Sequence, residues 1–187
     1  AAQKQIDMAF YYADTVPKHV IGDALRFKQV LTNLISNAIK FTPDGEIIVR
    51  ARMEHDDIGQ CVLHFSVQDS GIGLSGTDRK RLFESFSQGD ASVTRQFGGT
   101  GLGLAISKQL VSLMQGQIGF EDNQERAPTE KGSTFWFTAR FIADEEEILH
   151  PVFKDMHVVS YLAHPATANV LRHYLENYQV KHTESPS

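Results

Sequence analysis

The run ALRFKQVLTNLISNAIKF, Ala24 to Phe41, limits the possible folds more than any other stretch of the chain. Its apolar residues fall at 27, 30, 31, 34, 35, 38 and 41, the three-and-four spacing of a single helical face. Asp23 precedes it as an N-cap residue, and the TPDG of Thr42 to Gly45 stops the helix and turns the chain. A helix with one apolar face must bury that face against another element. Strands follow at once: EIIVRARM and CVLHFSVQD, joined by the polar EHDDIGQ, form a hairpin.

The same logic extends in both directions. Upstream, Ile6 to Val20 alternates loosely and contains Pro17, so it reads as edge strands and a turn. Downstream, TDRKRLFESF is a short helix and SQGDASVTRQFGG a polar, glycine-rich loop. LGLAISKQLVSLM is a second amphipathic helix closed by Gly116, and QIGFED and GSTFWFTARFI are strands. Strands that follow one another directly pair antiparallel, which gives a mixed sheet with helices on one face, a two-layer α/β sandwich. The acidic ADEEE beginning at Ala143 breaks the composition. It divides the chain into a main domain (1–143), a linker (144–155) and a strand-helix-strand extension (156–187) too short to bury a core alone.

Composition removes several function classes. A net charge of -5 gives no basic face for nucleic acid. The single Cys61 cannot form an internal disulfide, and its apolar strand context makes it a buried structural residue. No run of about 18 apolar residues is present to span a membrane. AAQKQIDMAF has no signal-peptide pattern and no obvious start, so the chain reads as a piece of a longer protein.

Two glycine clusters invite a ligand. GIGLSG, Gly71 to Gly76, matches the dinucleotide G-x-G-x-x-G literally, but a polar loop stands where that fold needs a second parallel strand. No Gly-Lys-Ser/Thr occurs, so the common P-loop is absent. On the first helix Gln29, Asn33, Asn37 and Lys40 share one face. That stripe is either a solvated face or a ligand face. In the second case an Asn amide oxygen takes a position on Mg²⁺ and Lys40 neutralises a phosphate. Asp69 closes a strand just before Gly71, either as a turn former or as an acceptor for the exocyclic amine of adenine, a bond of about 1.5–3 kcal/mol. The second cluster opens the helix near Leu102, whose N-terminal amides favour an anion. Gly99, Gly101 and Gly103 would let a polyphosphate approach the backbone.

Taken together, QVLTNLISNAIKFTPDG, DSGIGL, LFESFSQGD and GGTGLGLAIS resemble, in order and spacing, the asparagine, first glycine, phenylalanine and second glycine boxes of sensor histidine kinases. GSTFWF is similar to the closing strand of that family. The resemblance covers about residues 6 to 142 and implies the Bergerat ATP-binding fold shared with gyrase, Hsp90 and MutL ATPases. It implies that Asn37 binds Mg²⁺ with Asn33 beside it, and that Lys40 contacts phosphate, Asn37 and Lys40 being the catalytic pair. Asp69 would read the adenine amine with Thr134 near it through water, and Gly71 and Gly73 would shape the adenine pocket. Gly99, Gly101, Leu102 and Gly103 would lie by the phosphates. Residues 75–98 would form an ATP lid, disordered without nucleotide, with Phe83 and Phe86 as anchors or ordinary core, and Arg95 reaching for a phosphate.

None of the eight histidines sits in the acceptor setting of the family, so transfer needs a histidine-containing dimerisation domain of the same protein. His19, His64 and His173 read as surface or core residues. Met156 to His182 resembles the opening of a response-regulator receiver, with Leu162, Ala163 and His164 where acidic residues would bind Mg²⁺. A kinase domain followed by a degenerate receiver is similar to hybrid sensor kinases of the GacS/BarA type. The implied partners are that dimerisation domain, response-regulator or receiver domains and other sensor kinases. The implied location is the cytoplasmic side of an inner-membrane-anchored receptor. The alternatives are an ATP-binding regulatory module without transfer, or a Bergerat-fold ATPase, against which the polar helix face offers no acid to activate water.

Overall fold

The computed structural model of the chain describes residues 4, 6–57, 59–74, 82–83, 102–123, 132–143, 156–162, 164–178 and 180–184. The elements run β1 (Ile6–Tyr12), β2 (Val20–Ile21), α1 (Ala24–Phe41), β3 (Gly45–Asp57), β4 (Gln60–Asp69), α2 (Gly103–Leu113), β5 (Ile118–Asp122), β6 (Ser133–Ala143), β7 (His157–Ser160), α3 (Pro165–Asn177) and β8 (Lys181–Glu184). The main sheet has the order β1-β3-β4-β6-β2, with β5 also on β6. The hairpins β3/β4 and β5/β6 are antiparallel, and β1 is parallel to β3 with α1 in the crossover. The mixed sheet with α1 and α2 packed on one face is therefore as the sequence requires.

Helix α1 starts where expected: the Asp23 carboxylate accepts the Arg26 N–H at 2.9 Å. Val30, Leu34 and Ala38, spaced by four, are its buried residues. They meet alternate positions of the sheet, among them Ile47 and Val49 on β3, Leu63, Phe65 and Val67 on β4, and Phe137, Ala139 and Phe141 on β6. Aromatic rings close the centre, with Phe27 edge-on to Phe65 at 4.8 Å and Phe65 stacked on Phe137 at 5.1 Å. Cys61 lies within this core at 1% exposure.

The end of α2 differs from the expectation in a physical detail. The left-handed residue is Gln115 (φ 55°), not Gly116. Gly116 instead backs onto β6, where a Cβ would lie 1.8 Å from the Thr138 carbonyl oxygen. On the outer face of the sheet His64 stacks on Trp136 at 5.5 Å, and burial holds its imidazole below the usual 6.5.

The strand-helix-strand extension is present as a parallel β7/β8 pair with α3 between them. It does not stand alone. Helix α3 lies on the outer face of β1, opposite the side where Ile6 and Met8 enter the core. Thr167 Oγ1 donates to the Asp7 carboxylate at 2.8 Å, and the Tyr174 hydroxyl accepts the Tyr12 N–H at 3.0 Å. Tyr11 sits edge-on to His173 at 4.5 Å. Ala9 and Ala166 are buried between them, at 5% and 3% exposure. The proposed linker, 144–155, lies outside the described residues. Among the described residues no helix is long and apolar enough to cross a membrane.

Candidate functional site

Strand β4 ends on a carboxylate that the fold has gone to some length to bury. Asp69 is 4% exposed. Its Oδ1 accepts the Gly71 N–H at 2.9 Å and its Oδ2 accepts the Ser133 hydroxyl at 2.6 Å. The second distance is in the range of charge-assisted O–H···O⁻ bonds. Burial pushes the carboxyl above its ordinary 3.8, against the pull of the Ser133 hydroxyl and of the Gly71 and Ser133 backbone amides. A carboxylate has about four lone-pair sites. These bonds leave acceptor capacity for one further donor.

The backbone around Asp69 is packed closely enough to exclude side chains. At Gly71 a Cβ would lie 2.4 Å from the Phe41 carbonyl oxygen and 2.9 Å from Asp69 Oδ1. At Gly132 (φ 98°) it would lie 1.9 Å from the Asp69 carbonyl oxygen. Gly73 also has positive φ, at 70°, and faces the Gly132 backbone. The end of β5 completes the support: Asn123, 3% exposed, donates to the Asp69 carbonyl at 3.0 Å and accepts the Thr134 hydroxyl at 2.8 Å.

The polar stripe of α1 runs from this carboxylate to the start of α2. At one end the Phe41 carbonyl accepts the Ile72 N–H at 3.3 Å, tying the helix to the glycine turn. At the other end Asn33 donates to Ser107 at 2.9 Å, and its Oδ1 fills the place of a Gly103 side chain, 2.6 Å from where a Cβ would be. Asn37 and Lys40 stand between, both half-buried, with Lys40 Nζ 4.9 Å from the Phe41 ring centroid. Eight residues separate Asn33 from Phe41, about 12 Å of helix. Such a span is long enough for an extended ligand with a donor-bearing base at Asp69 and an anionic tail towards α2.

Most expected residues converge here, with different duties in some cases. Asp69, Gly71, Gly73, Asn33, Asn37 and Lys40 lie along one path, and Leu102 and Gly103 open α2 at its far end. Gly103 meets Asn33 of the neighbouring helix, so its missing side chain serves helix contact. The hydroxyl bonded to the carboxylate belongs to Ser133, whereas Thr134, on the opposite face of β6, is turned to Asn123. Phe83 is half-buried in a turn. The lid at 75–98, Phe86, Arg95, Gly99 and Gly101 fall outside the described residues, apart from Leu82 and Phe83 within that span. Sequence reasoning did not find Ser133 or Asn123. The available signal was the Ser133-Thr134 pair at the start of the closing strand, and it is the β4/β6 register, Asp69 opposite Ser133, that selects Ser133.

A divalent ion at this site would rest on amide oxygens and on the ligand's own phosphates. Among the described residues no group of three or more His, Cys, Asp or Glu side chains could hold it. That donor set fits Mg²⁺, which keeps several waters and leans on substrate phosphate.

Residues 22–142 match the family described as histidine kinase-, DNA gyrase B-, and HSP90-like ATPase. Over 181 residues the chain is 43% identical to the sensor histidine kinase GacS of Pseudomonas protegens, covering 95% of this chain and 19% of that protein. Over 134 residues it is 42% identical to the signal transduction histidine-protein kinase BarA of Escherichia coli, covering 72% of this chain and 14% of that protein. The chain thus spans about a fifth or less of the length of these relatives. Full-length ShkA in complex with AMPPNP superposes with a TM-score of 0.77 at 27% identity, covering 100% of this chain and 36% of that one. The nucleotide-free catalytic domain of the histidine kinase ThkA gives a TM-score of 0.57 at 26% identity, covering 74% of this chain and 80% of that one.

Proposed function

Because this chain belongs to the histidine kinase-, DNA gyrase B- and HSP90-like ATPase family, we propose that it binds Mg-ATP as the catalytic module of a hybrid sensor histidine kinase. It donates the γ-phosphoryl group to a histidine on a separate dimerisation domain. The observation that carries this is the buried Asp69 carboxylate, held by Gly71 and Ser133 with acceptor capacity to spare. A buried acceptor of this kind matches the exocyclic amine of adenine and opposes the carbonyl oxygen of guanine at the same place.

Each residue then has a task. Asp69 accepts from the adenine amine, with Ser133 fixing the carboxylate and Gly71 and Gly73 leaving room for the ring. Asn37 offers its amide oxygen to Mg²⁺, and Lys40 neutralises phosphate charge. Asn33 holds the start of α2 against α1 through Ser107, placing the N-terminal amides of α2 near the phosphates. A bound Mg²⁺ supplies charge neutralisation at the phosphate oxygens. Transfer is mostly positioning, so the isolated chain binds nucleotide and turns it over slowly. The acceptor histidine, the receiver partners and the membrane anchor of a cytoplasmic kinase domain belong to the longer protein.

The test is thermal unfolding with ATP, GTP and NAD, each with and without Mg²⁺. A ligand at about 100 times its Kd stabilises by about 2.7 kcal/mol, which is readable as a shift in Tm. ATP shifts Tm, more so with Mg²⁺, and GTP does not. A shift with NAD alone, or none with ATP, refutes the proposal. Labelled ATP with the acceptor hairpin supplied in trans then separates a kinase from a module that only binds.

A further inference from the structure

The C-terminus of α1 is capped by a residue far away in sequence. A helix leaves its last carbonyls without intrahelical partners. In α1 the Ala38 carbonyl takes the Thr42 N–H at 3.0 Å, and the Phe41 carbonyl takes the Ile72 N–H of the glycine turn at 3.3 Å. The remaining three, Ile39, Lys40 and the cap residue Thr42, are all taken by one ammonium: Lys4 Nζ donates to them at 2.8, 3.2 and 3.3 Å. An ammonium has three N–H donors, so Lys4 spends every one on this turn. Its charge also opposes the negative end of the helix dipole.

We propose that Lys4 is a positioning residue of the nucleotide site, holding the last turn of α1 so that Asn37 and Lys40 face the phosphates. The inference rests on the Mg-ATP reading above. The turn from Ala38 to Phe41 carries Lys40, follows Asn37 directly and abuts Gly71. Without Lys4, three carbonyls in a partly buried setting lose their donors, and the turn refolds towards water or frays. Lys40 and the backbone after Asn37 then shift, and small displacements of phosphate-binding groups are costly to binding and transfer. The Asp69 carboxylate is held by the Gly71 amide and the Ser133 hydroxyl and its carbonyl by Asn123, whereas the Lys4 ammonium bonds only the Ile39, Lys40 and Thr42 carbonyls.

The experiment titrates the full chain and its Lys4→Met variant with Mg-ATP, with ATP in EDTA, and with adenosine. Lys4→Met keeps the apolar stem and removes the donors. Mg-ATP affinity is expected to fall about tenfold, the scale of losing bonds to a charged donor. The gain from adding Mg²⁺ shrinks, and adenosine affinity stays as in the wild type. Lys4→Arg, which keeps several donors, restores most of the loss. Wild-type Mg-ATP affinity in Lys4→Met overturns the inference. So does an equal loss of Mg-ATP and adenosine, which marks a general structural role. Should Lys4→Met fail to fold, Lys4→Gln, with two donors, is expected to show an intermediate, Mg²⁺-dependent loss, and wild-type behaviour there overturns the inference equally. A wild type that binds neither ligand instead refutes the functional proposal itself.

Discussion

Replacing Asp69 by Asn is expected to separate stability from binding, and to move them in opposite directions. The carboxylate is 4% exposed and accepts from the Gly71 N–H and from Ser133, its hydroxyl among them. Burial raises its pKa from 3.8 despite those bonds, so the folded surroundings favour the uncharged form. A raised folded-state pKa contributes stability that is fully present below 3.8 and lost as pH rises through the folded value. Asn keeps an acceptor for Gly71 and carries no charge, so its advantage over Asp is absent at the acid end and grows across that window. A tenfold change in a protonation equilibrium between the folded and unfolded chain is worth about 1.4 kcal/mol. In a chain of this size each kcal/mol moves Tm by about 2–4 °C. At neutral pH the variant should therefore melt at or a few degrees above the wild type. Its ATP affinity should drop by about ten- to 150-fold, the equivalent of a charge-assisted bond of about 1.5–3 kcal/mol. Melting curves from pH 3 to 8, with and without Mg-ATP, read both effects. A variant that melts well below the wild type at neutral pH, or binds ATP undiminished, refutes the reasoning.

Gly71→Ala forces a Cβ to within 2.4 Å of the Phe41 carbonyl oxygen, and overpacking of this kind costs about 1–3 kcal/mol. The urea midpoint should fall accordingly, and an unchanged midpoint would mean the glycine turn yields freely. Ser133→Ala removes a hydroxyl from a buried carboxylate and should weaken ATP binding more than Thr134→Ala, whose hydroxyl reaches only Asn123. Calorimetric titration of the pair decides this, and a larger effect at Thr134 would reverse the assignment.

Local chemistry told much about the elements and less about their contacts. The spacing of Val30, Leu34 and Ala38 was enough for α1 and its buried face, and Asp23 for its start. Alternation gave the β3/β4 and β5/β6 hairpins. Period two, however, fixes only relative facing. It could not say which of Ser133 and Thr134 turns to Asp69, and that depended on the register between β4 and β6. Lys4 was illegible because it acts 35 to 38 residues away in sequence with no motif around it. Asn123 was illegible for the same reason, since its partners Asp69 and Thr134 come from separate strands. The end of α2 misled because a glycine near a helix terminus has two uses. Gly116 serves close approach to β6 rather than the left-handed turn.

The seating of α3 on β1 bears on where this chain can be cut. Composition suggests a boundary near Ala143, and a fragment ending there keeps every residue proposed to bind nucleotide. It would also uncover Ala9, Tyr11 and one face of Tyr12, and release the Tyr12 amide that Tyr174 now occupies. An outermost strand with open amides and aromatic side chains is a template on which other chains stack. The shorter fragment would therefore be the stickier one in the test tube. Expression should begin with a chain that runs through Glu184, even for work concerned with nucleotide alone.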